Sequence, residues 1–490
     1  MTYLIFYERS KCLLQLFEKT HNSILKLSYF PSIKSKKPNK PLTKILIALY
    51  LVVIFSHCVS APATKPKPKL DLTQTVKSGD WYATQEFLVS NPDSVNSVNN
   101  SGGFAIHEAA ILGDAKQIRV LIRFKANVNA KNKEGMTPLH IASAEGYTDC
   151  VKVLLDAGAL PNEKDKKGRL PIHYAVSTAS GNISVLKLLV KYGSELDAKD
   201  LKGASPLLTA IRKKNYQFAK YLINNRSSID IVDSDGFNVL HLLALKGNTE
   251  LLKILLELGA NPNKVIEKGN ISPLHFAAMN GHLEFVQLLL NRGANPDIQD
   301  ETGYTALHYA VKEGDLDIVT TLLQKKANPN LKTSDGYTPL FVAAQENHAN
   351  IARVLLENHA DPNSQGNDNR AAIHKACYEG HLDVLKVLLE FKANKELRSR
   401  QGWTPMIAAA SGGHLKLVQL LIEHKVDLNA VTEYKTTALY GAASDGYLEV
   451  VETLLNAGAL TDVPGTSSPL GAARAHGHTQ IADLIQSKSK

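Results

Sequence analysis

Twelve times along this chain the same short phrase returns, as in Thr137-Pro138-Leu139-His140, Ser272-Pro273-Leu274-His275 and Thr338-Pro339-Leu340. Its copies begin at 104, 137, 170, 205, 238, 272, 305, 338, 371, 404, 437 and 468, in steps of 33, 33, 35, 33, 34, 33, 33, 33, 33, 33 and 31 residues. A step this regular decides the fold class before local propensity is consulted, because each unit is too small to bury its own apolar face and must stack on its neighbours. It also changes what 490 residues mean. Length alone suggests about three globular domains, whereas one solenoid grows to any length without a larger core.

The formal charge of +9 has to be divided before it is read. Residues 1–69 hold twelve Lys and Arg against Glu8 and Glu18, a balance of +10, so the remaining 421 residues sum to −1. The repeats are near neutral, and no nucleic-acid partner is expected, since phosphate binding needs a basic stripe on the folded region. Of the four cysteines, Cys150 and Cys377 sit seven repeats apart. At roughly 8–10 Å per packed helix pair they are about 55–70 Å apart, beyond disulfide reach.

Residues 1–69 form a leader of different composition. Lys34, Lys36, Lys37, Lys40 and Lys44 precede an eleven-residue apolar run, Ile45 to Phe55, and Ala61-Pro62-Ala63 follows. That order resembles a secretory signal, with the signal-like segment at 41–63. The run is short against the ~20 residues that span a bilayer. Three readings stay open: a cleaved signal and an exported protein, a membrane anchor through 45–59, or neither, with a cytoplasmic protein. The basic region begins more than thirty residues after Met1, which is long for a signal. Ala63 to Lys69 alternates Lys and Pro and reads as an extended linker.

One unit shows the local grammar. Thr137 is placed to cap a helix whose first turn holds Pro138, where a missing N–H costs nothing. Leu139 and Ala142 share one face, and Gly146 ends the helix. A second helix carries Val151, Leu154 and Leu155 on one stripe, and Gly158 closes it. This pattern resembles the ankyrin repeat over residues 102–490, with a divergent capping unit expected at 70–101. The resemblance implies an all-α solenoid of about 12–13 helix–loop–helix units with projecting hairpin loops, a curved stack used mainly to bind proteins. Departures are Lys214 and Asn347 at glycine positions, a two-residue insertion near Ser177–Ser180, and a last helix with Gln480, Asp483, Gln486 and Lys488 that suits a solubilising cap.

Histidine is the residue that most resembles chemistry. Seven of the 17 take the fourth place of the phrase: His107, His140, His173, His241, His275, His308 and His374. Neighbours stand a helix-packing distance apart, too far to share a metal at bonds of about 2.0 Å. The resemblance implies a structural role, bonding backbone between turns. Asp149, Glu284, Asp317, Asp383 and Glu449 recur at one place near a helix N-terminus, which suits the helix dipole. No nucleophile elbow, phosphate loop or zinc-protease motif is present. No enzyme, catalytic residue, metal or cofactor is expected, and a monomer is.

Function is then expected at places the repeat leaves free. Phe237, Tyr304, Tyr337 and Trp403 follow the loop glycine. Tyr174, Phe276, Tyr309 and Lys375 stand one place past the histidine, and Glu313, Glu346 and Glu379 precede the second glycine position. Arg212, Lys213 and Lys246 mark repeats 4 and 5. Recurring in register, these residues should form ladders along the concave face, basic near repeats 4–5 and aromatic and acidic over repeats 6–10. The expected function is a non-enzymatic scaffold that captures a partner protein there. A toxin-like or membrane-acting protein is the alternative, supported only by the leader.

Overall fold

The structure is a computed structural model that describes residues 71–178 and 182–489. The leader, with its signal and anchor readings, lies outside the described residues, as does part of the insertion near Ser177–Ser180. Among the described residues there are 26 helices and no strand, the only ladder-like features being isolated bridges at Val98–Phe104 and Ile266–Ile271. The first helix pair, Leu72–Lys77 and Trp81–Ser90, occupies the stretch expected to hold a divergent unit.

Each repeat pairs a short first helix with a second helix of nine residues, ten in the last repeat, as Pro138–Glu145 with Thr148–Asp156 in repeat 2. Proline takes the first position of seven first helices, among them those at Pro138, Pro273 and Pro405, and a side-chain oxygen of Ser272, Thr305 or Thr404 accepts from the backbone N–H three residues on. The small residues Ala142, Ala277, Ala343, Ala376 and Ala409 are fully buried, which lets first helices stack closely on one another. Leu154, Leu189, Leu255, Leu322, Leu355 and Leu388 fill the space beneath them at 0% exposure. Full burial of one such side chain is worth about 1.5–3 kcal/mol, so the stack is held by many equal contributions. Gly146 turns at φ +77°, and Lys214 and Asn347 adopt the same left-handed backbone at φ +60° and +58°. The array keeps its turn there despite a Cβ penalty of roughly 1–2 kcal/mol for the lysine.

The seven histidines are structural rungs. Each Nδ1 faces the backbone N–H three residues earlier, as Thr137 N to His140 at 3.0 Å and Thr305 N to His308 at 3.1 Å. A backbone N–H can only donate, so Nδ1 is the acceptor and the proton sits on Nε2. In six of the seven that Nε2–H donates across the repeat boundary, as His140 to Arg169 O at 3.1 Å, His275 to Tyr304 O at 3.2 Å and His308 to Tyr337 O at 3.3 Å. One neutral ring thus satisfies a donor at a helix start and an acceptor in the next loop, two groups the helix cannot pair itself.

Two further ladders run beside this one. A side-chain oxygen at successive loop bases accepts the amide 31 to 33 residues ahead, from Asn96 with Asn127 to Asn429 with Leu460. Successive loops also share one backbone bond, from Lys166 N to Glu134 O through to Ser467 N to Lys435 O. All three ladders are interrupted at one junction, between the loops leading into repeats 5 and 6. Asp230 accepts nothing from Asn261, the Asp235 carbonyl receives no amide from the next loop, and His241 Nε2 is buried without a hydrogen bond. The loop into repeat 6 carries one extra residue and closes as an isolated bridge, Ile266–Ile271. A cavity of about 500 Å³ opens between the two loops, lined by Phe237, Ile266, Ile271 and Phe276. This junction is a seam in the array.

Candidate binding face

The free positions lie on the side formed by first helices and loops, but they are not equally available. Phe276 is buried, with Phe237 stacked on it at 5.6 Å and 27°. Tyr304 is half-buried against Tyr309 at 5.3 Å and His308 at 5.2 Å. The hydroxyl of Tyr309 donates to Asp300 at 2.6 Å, and Tyr174 makes the matching bond to Asp165. Tyr337 lies flat on Phe341 at 3.8 Å and 9°, and its hydroxyl donates to Asp368 at 2.8 Å. Burial and this bond push the Tyr337 phenol up to about 12. These rings are therefore tied into their own loops.

The carboxylates that hold them do a second job. Asp165 and Asp300 accept backbone amides two and four residues ahead, which closes each hairpin loop. Burial pushes both carboxyls up, but the tyrosine hydroxyl and the loop donors outweigh it and hold each below its ordinary value. In repeat 5 the loop carboxylate Asp233 is paired with Arg212, so part of the basic end of the expected ladder is neutralised. Lys213 and Lys246 are exposed.

Repeats 8 to 10 offer a more open surface. Glu346 is half-buried and Glu379 exposed at the ends of the first helices of repeats 8 and 9, continuing a row that begins with the exposed Glu313 of repeat 7. Lys375 pairs with Glu379 at 2.8 Å, which holds that carboxyl below its usual range. Trp403 is half-buried and lines a cavity of about 270 Å³ with Arg370, His374, Lys375, Tyr378, Ser399 and Ala408. Tyr378 is 55% exposed on the wall of this cavity and was not singled out from the sequence. The signal was available: at that place, two before the glycine position, repeats 7, 8 and 11 carry Lys312, Gln345 and Ser444.

The other tempting residues are accounted for locally. Asp149, Glu284, Asp317, Asp383 and Glu449 all lie in the first turns of second helices, where a negative charge meets the positive end of the helix dipole. His381 and His414 stand at the N-caps of second helices and bond the carbonyls of Ala344 and Tyr378 in the repeat before. Cys150 and Cys377 are buried free thiols, and burial pushes the Cys150 thiol up to about 11, so neither is primed as a nucleophile. Among the described residues, no group of three His, Cys, Asp or Glu could hold a metal ion.

Stacked helix pairs joined by backbone and side-chain rungs, with variable side chains displayed on one side, define a repeat scaffold. Comparison with known proteins names its kind. The family model for ankyrin repeats matches residues 72–165, 172–266, 240–333, 325–399 and 373–465, and the chain belongs to that family. It is 36% identical over 91 residues to human Ankyrin repeat and SOCS box protein 3, covering 18% of each chain. It is 31% identical over 84 residues to Alpha-latrotoxin-Lg1a of Latrodectus geometricus, covering 16% of this chain and 6% of the toxin. It is 28% identical over 92 residues to Ankyrin repeat protein OPG189 of variola virus, covering 18% of this chain and 16% of that protein. The matches thus span less than a fifth of each relative, a few repeats' worth. Ankyrin repeats make this chain a protein-interaction module.

Proposed function

We propose that the chain is a non-enzymatic scaffold that binds a partner protein on its first-helix and loop side, the concave side of an ankyrin stack. The observation that carries this reading is the open group in repeats 8 to 10. There Trp403 and Tyr378 border a cavity, and Arg370, Lys375, Glu346 and Glu379 form a charged rim. Large aromatics beside a polar rim are the common anchors of protein interfaces. The rungs support the same reading, since a surface held in place before binding loses little freedom on association. Export through the leader is part of the proposal and rests on the order of basic, apolar and small residues alone. The toxin-like alternative gains little from the latrotoxin match, which covers only 16% of this chain and 6% of the toxin.

Affinity capture with the full chain as bait tests the face. A Trp403→Ala, Tyr378→Ala double variant should lose captured partners at least tenfold. Lys220→Ala with Lys253→Ala, on second helices, should retain them. Equal capture by both variants, or loss with the second alone, would place the interface elsewhere.

A further inference from the structure

In repeats 3, 6 and 7 the residue following the histidine is aromatic and reaches back to the histidine one repeat earlier. Tyr174 meets His140, Phe276 meets His241 and Tyr309 meets His275, each edge-on, with ring centroids 5.7, 6.1 and 5.9 Å apart. Two of the rings are tethered by their hydroxyls to Asp165 and Asp300, each five residues before its own repeat's phrase. In repeat 10 both halves of this arrangement are gone. Ala408 stands where the rings stand, and Ser399 stands where the aspartates stand. Ala408 is the smallest residue at this place over any of the seven histidines. What remains is the cavity of about 270 Å³ over His374, with Trp403 and Tyr378 as walls.

We propose that this cavity is a subsite for one aromatic side chain of a partner protein, a tyrosine or phenylalanine inserted where Tyr174 and Tyr309 sit in their own repeats. The inference rests on the reading of this face as the binding side and names what enters it. The size fits: pockets for drug-sized ligands begin at about 300 Å³, and this one is smaller, suited to a single ring. The walls fit as well. A guest ring would meet the edge of His374, as Tyr309 meets His275, and stack beside Trp403 in the manner of Tyr304 beside Tyr309. Aromatic pairs in such geometry add about 0.5–1.5 kcal/mol beyond the area they bury. At the base, Ser399 Oγ accepts the Trp403 amide at 3.2 Å and can donate its own proton, so a phenol oxygen finds a partner there.

The chain has two tryptophans, Trp81 and Trp403, so incorporation of 5-fluorotryptophan gives one reporter at the site and one control. Titration of the full chain with p-cresol should move the Trp403 fluorine resonance saturably, with a dissociation constant on the order of 1 mM, and leave Trp81 in place. Ala408→Tyr fills the cavity from within and should weaken that response at least tenfold without lowering the melting temperature. Ser399→Asp combined with Ala408→Tyr rebuilds the tethered pair of repeats 3 and 7 and should raise the melting temperature above that of Ala408→Tyr. A Trp403 response no larger than that of Trp81 would overturn the subsite, and so would an undiminished response in both filled variants. Unfolding of both filled variants would show that the cavity does not have the shape of a ring. Because p-cresol binding needs no partner, a failed capture experiment beside a positive titration would count against the binding face and not against the cavity.

Discussion

Acidification from pH 7 to pH 5 is expected to destabilise the array strongly, well before carboxylates begin to protonate. In the unfolded chain a histidine takes its proton near 6.5. In the fold His140, His241 and His308 are held down to about 4, burial being the main cause. His107, His173, His275 and His374 are lowered for the same reason. Protonation would also put a proton on Nδ1, where a backbone N–H already points, and would break the helix-start bond. Between these two values the unfolded state binds more protons than the native state, so stability falls as pH drops from 6.5 and levels off near 4. Each of the three strongly shifted rings would cost on the order of 2 kcal/mol by pH 5. The depressed carboxyls Asp165 and Asp300 act in a lower window, their contribution being present above 3.8 and lost as pH falls through their folded values. Thermal melts from pH 8 to pH 3.5 should show a plateau above 7 and a steep fall between 6.5 and 4. A melting temperature constant from pH 7 to pH 5 would mean that the rungs do not depend on neutral imidazole.

Phe285→Ala should split the unfolding of the chain at the seam. Phe285 is fully buried and among the largest fully buried side chains, in the second helix of repeat 6, Leu283–Asn291. Its truncation costs about 3–5 kcal/mol where the site cannot collapse. In a stack, each repeat is stabilised only by its two neighbours, so a local loss of this size weakens one link of a chain. Repeat 6 already lacks three ties to repeat 5: the Asp230 rung, the Asp235 rung and the His241 bond. Hydrogen exchange on the variant should show protection lost first over residues 264–300 and kept over residues 71–230. Its thermal unfolding should resolve two transitions where the parent has one. A single transition moved to lower temperature, with exchange rising evenly along the chain, would show that the seam transmits cooperativity as well as any other junction.

The repeat made most of the scaffold legible because its recurring residues have local causes: proline at a helix start, glycine in a left-handed turn, alanine beneath a neighbouring helix. Even the histidines could be read as structural, since a residue repeating every 33 positions cannot converge on one ion. What could not be read is what crosses between repeats. Tyr337 looks like a free aromatic until its hydroxyl is seen on Asp368, 31 residues on. Phe276 looks like Tyr309 in the sequence, yet it is buried beneath Phe237. The cavity beside Trp403 exists because Ala408 is small opposite His374, a relation between two repeats that neither repeat displays alone. The seam was visible only as one step of 34, without any sign that it would interrupt three ladders at once.

The binding side itself is tested most directly by hydrogen exchange on the full chain with and without its captured partner. Exchange should slow in the first helices and loops of repeats 8 to 10, centred on residues 370–380 and 399–411, with the second helices Leu382–Glu390 and Leu415–Glu423 unchanged. Protection confined to those second helices, with residues 370–380 and 399–411 exchanging as in the free chain, would contradict it.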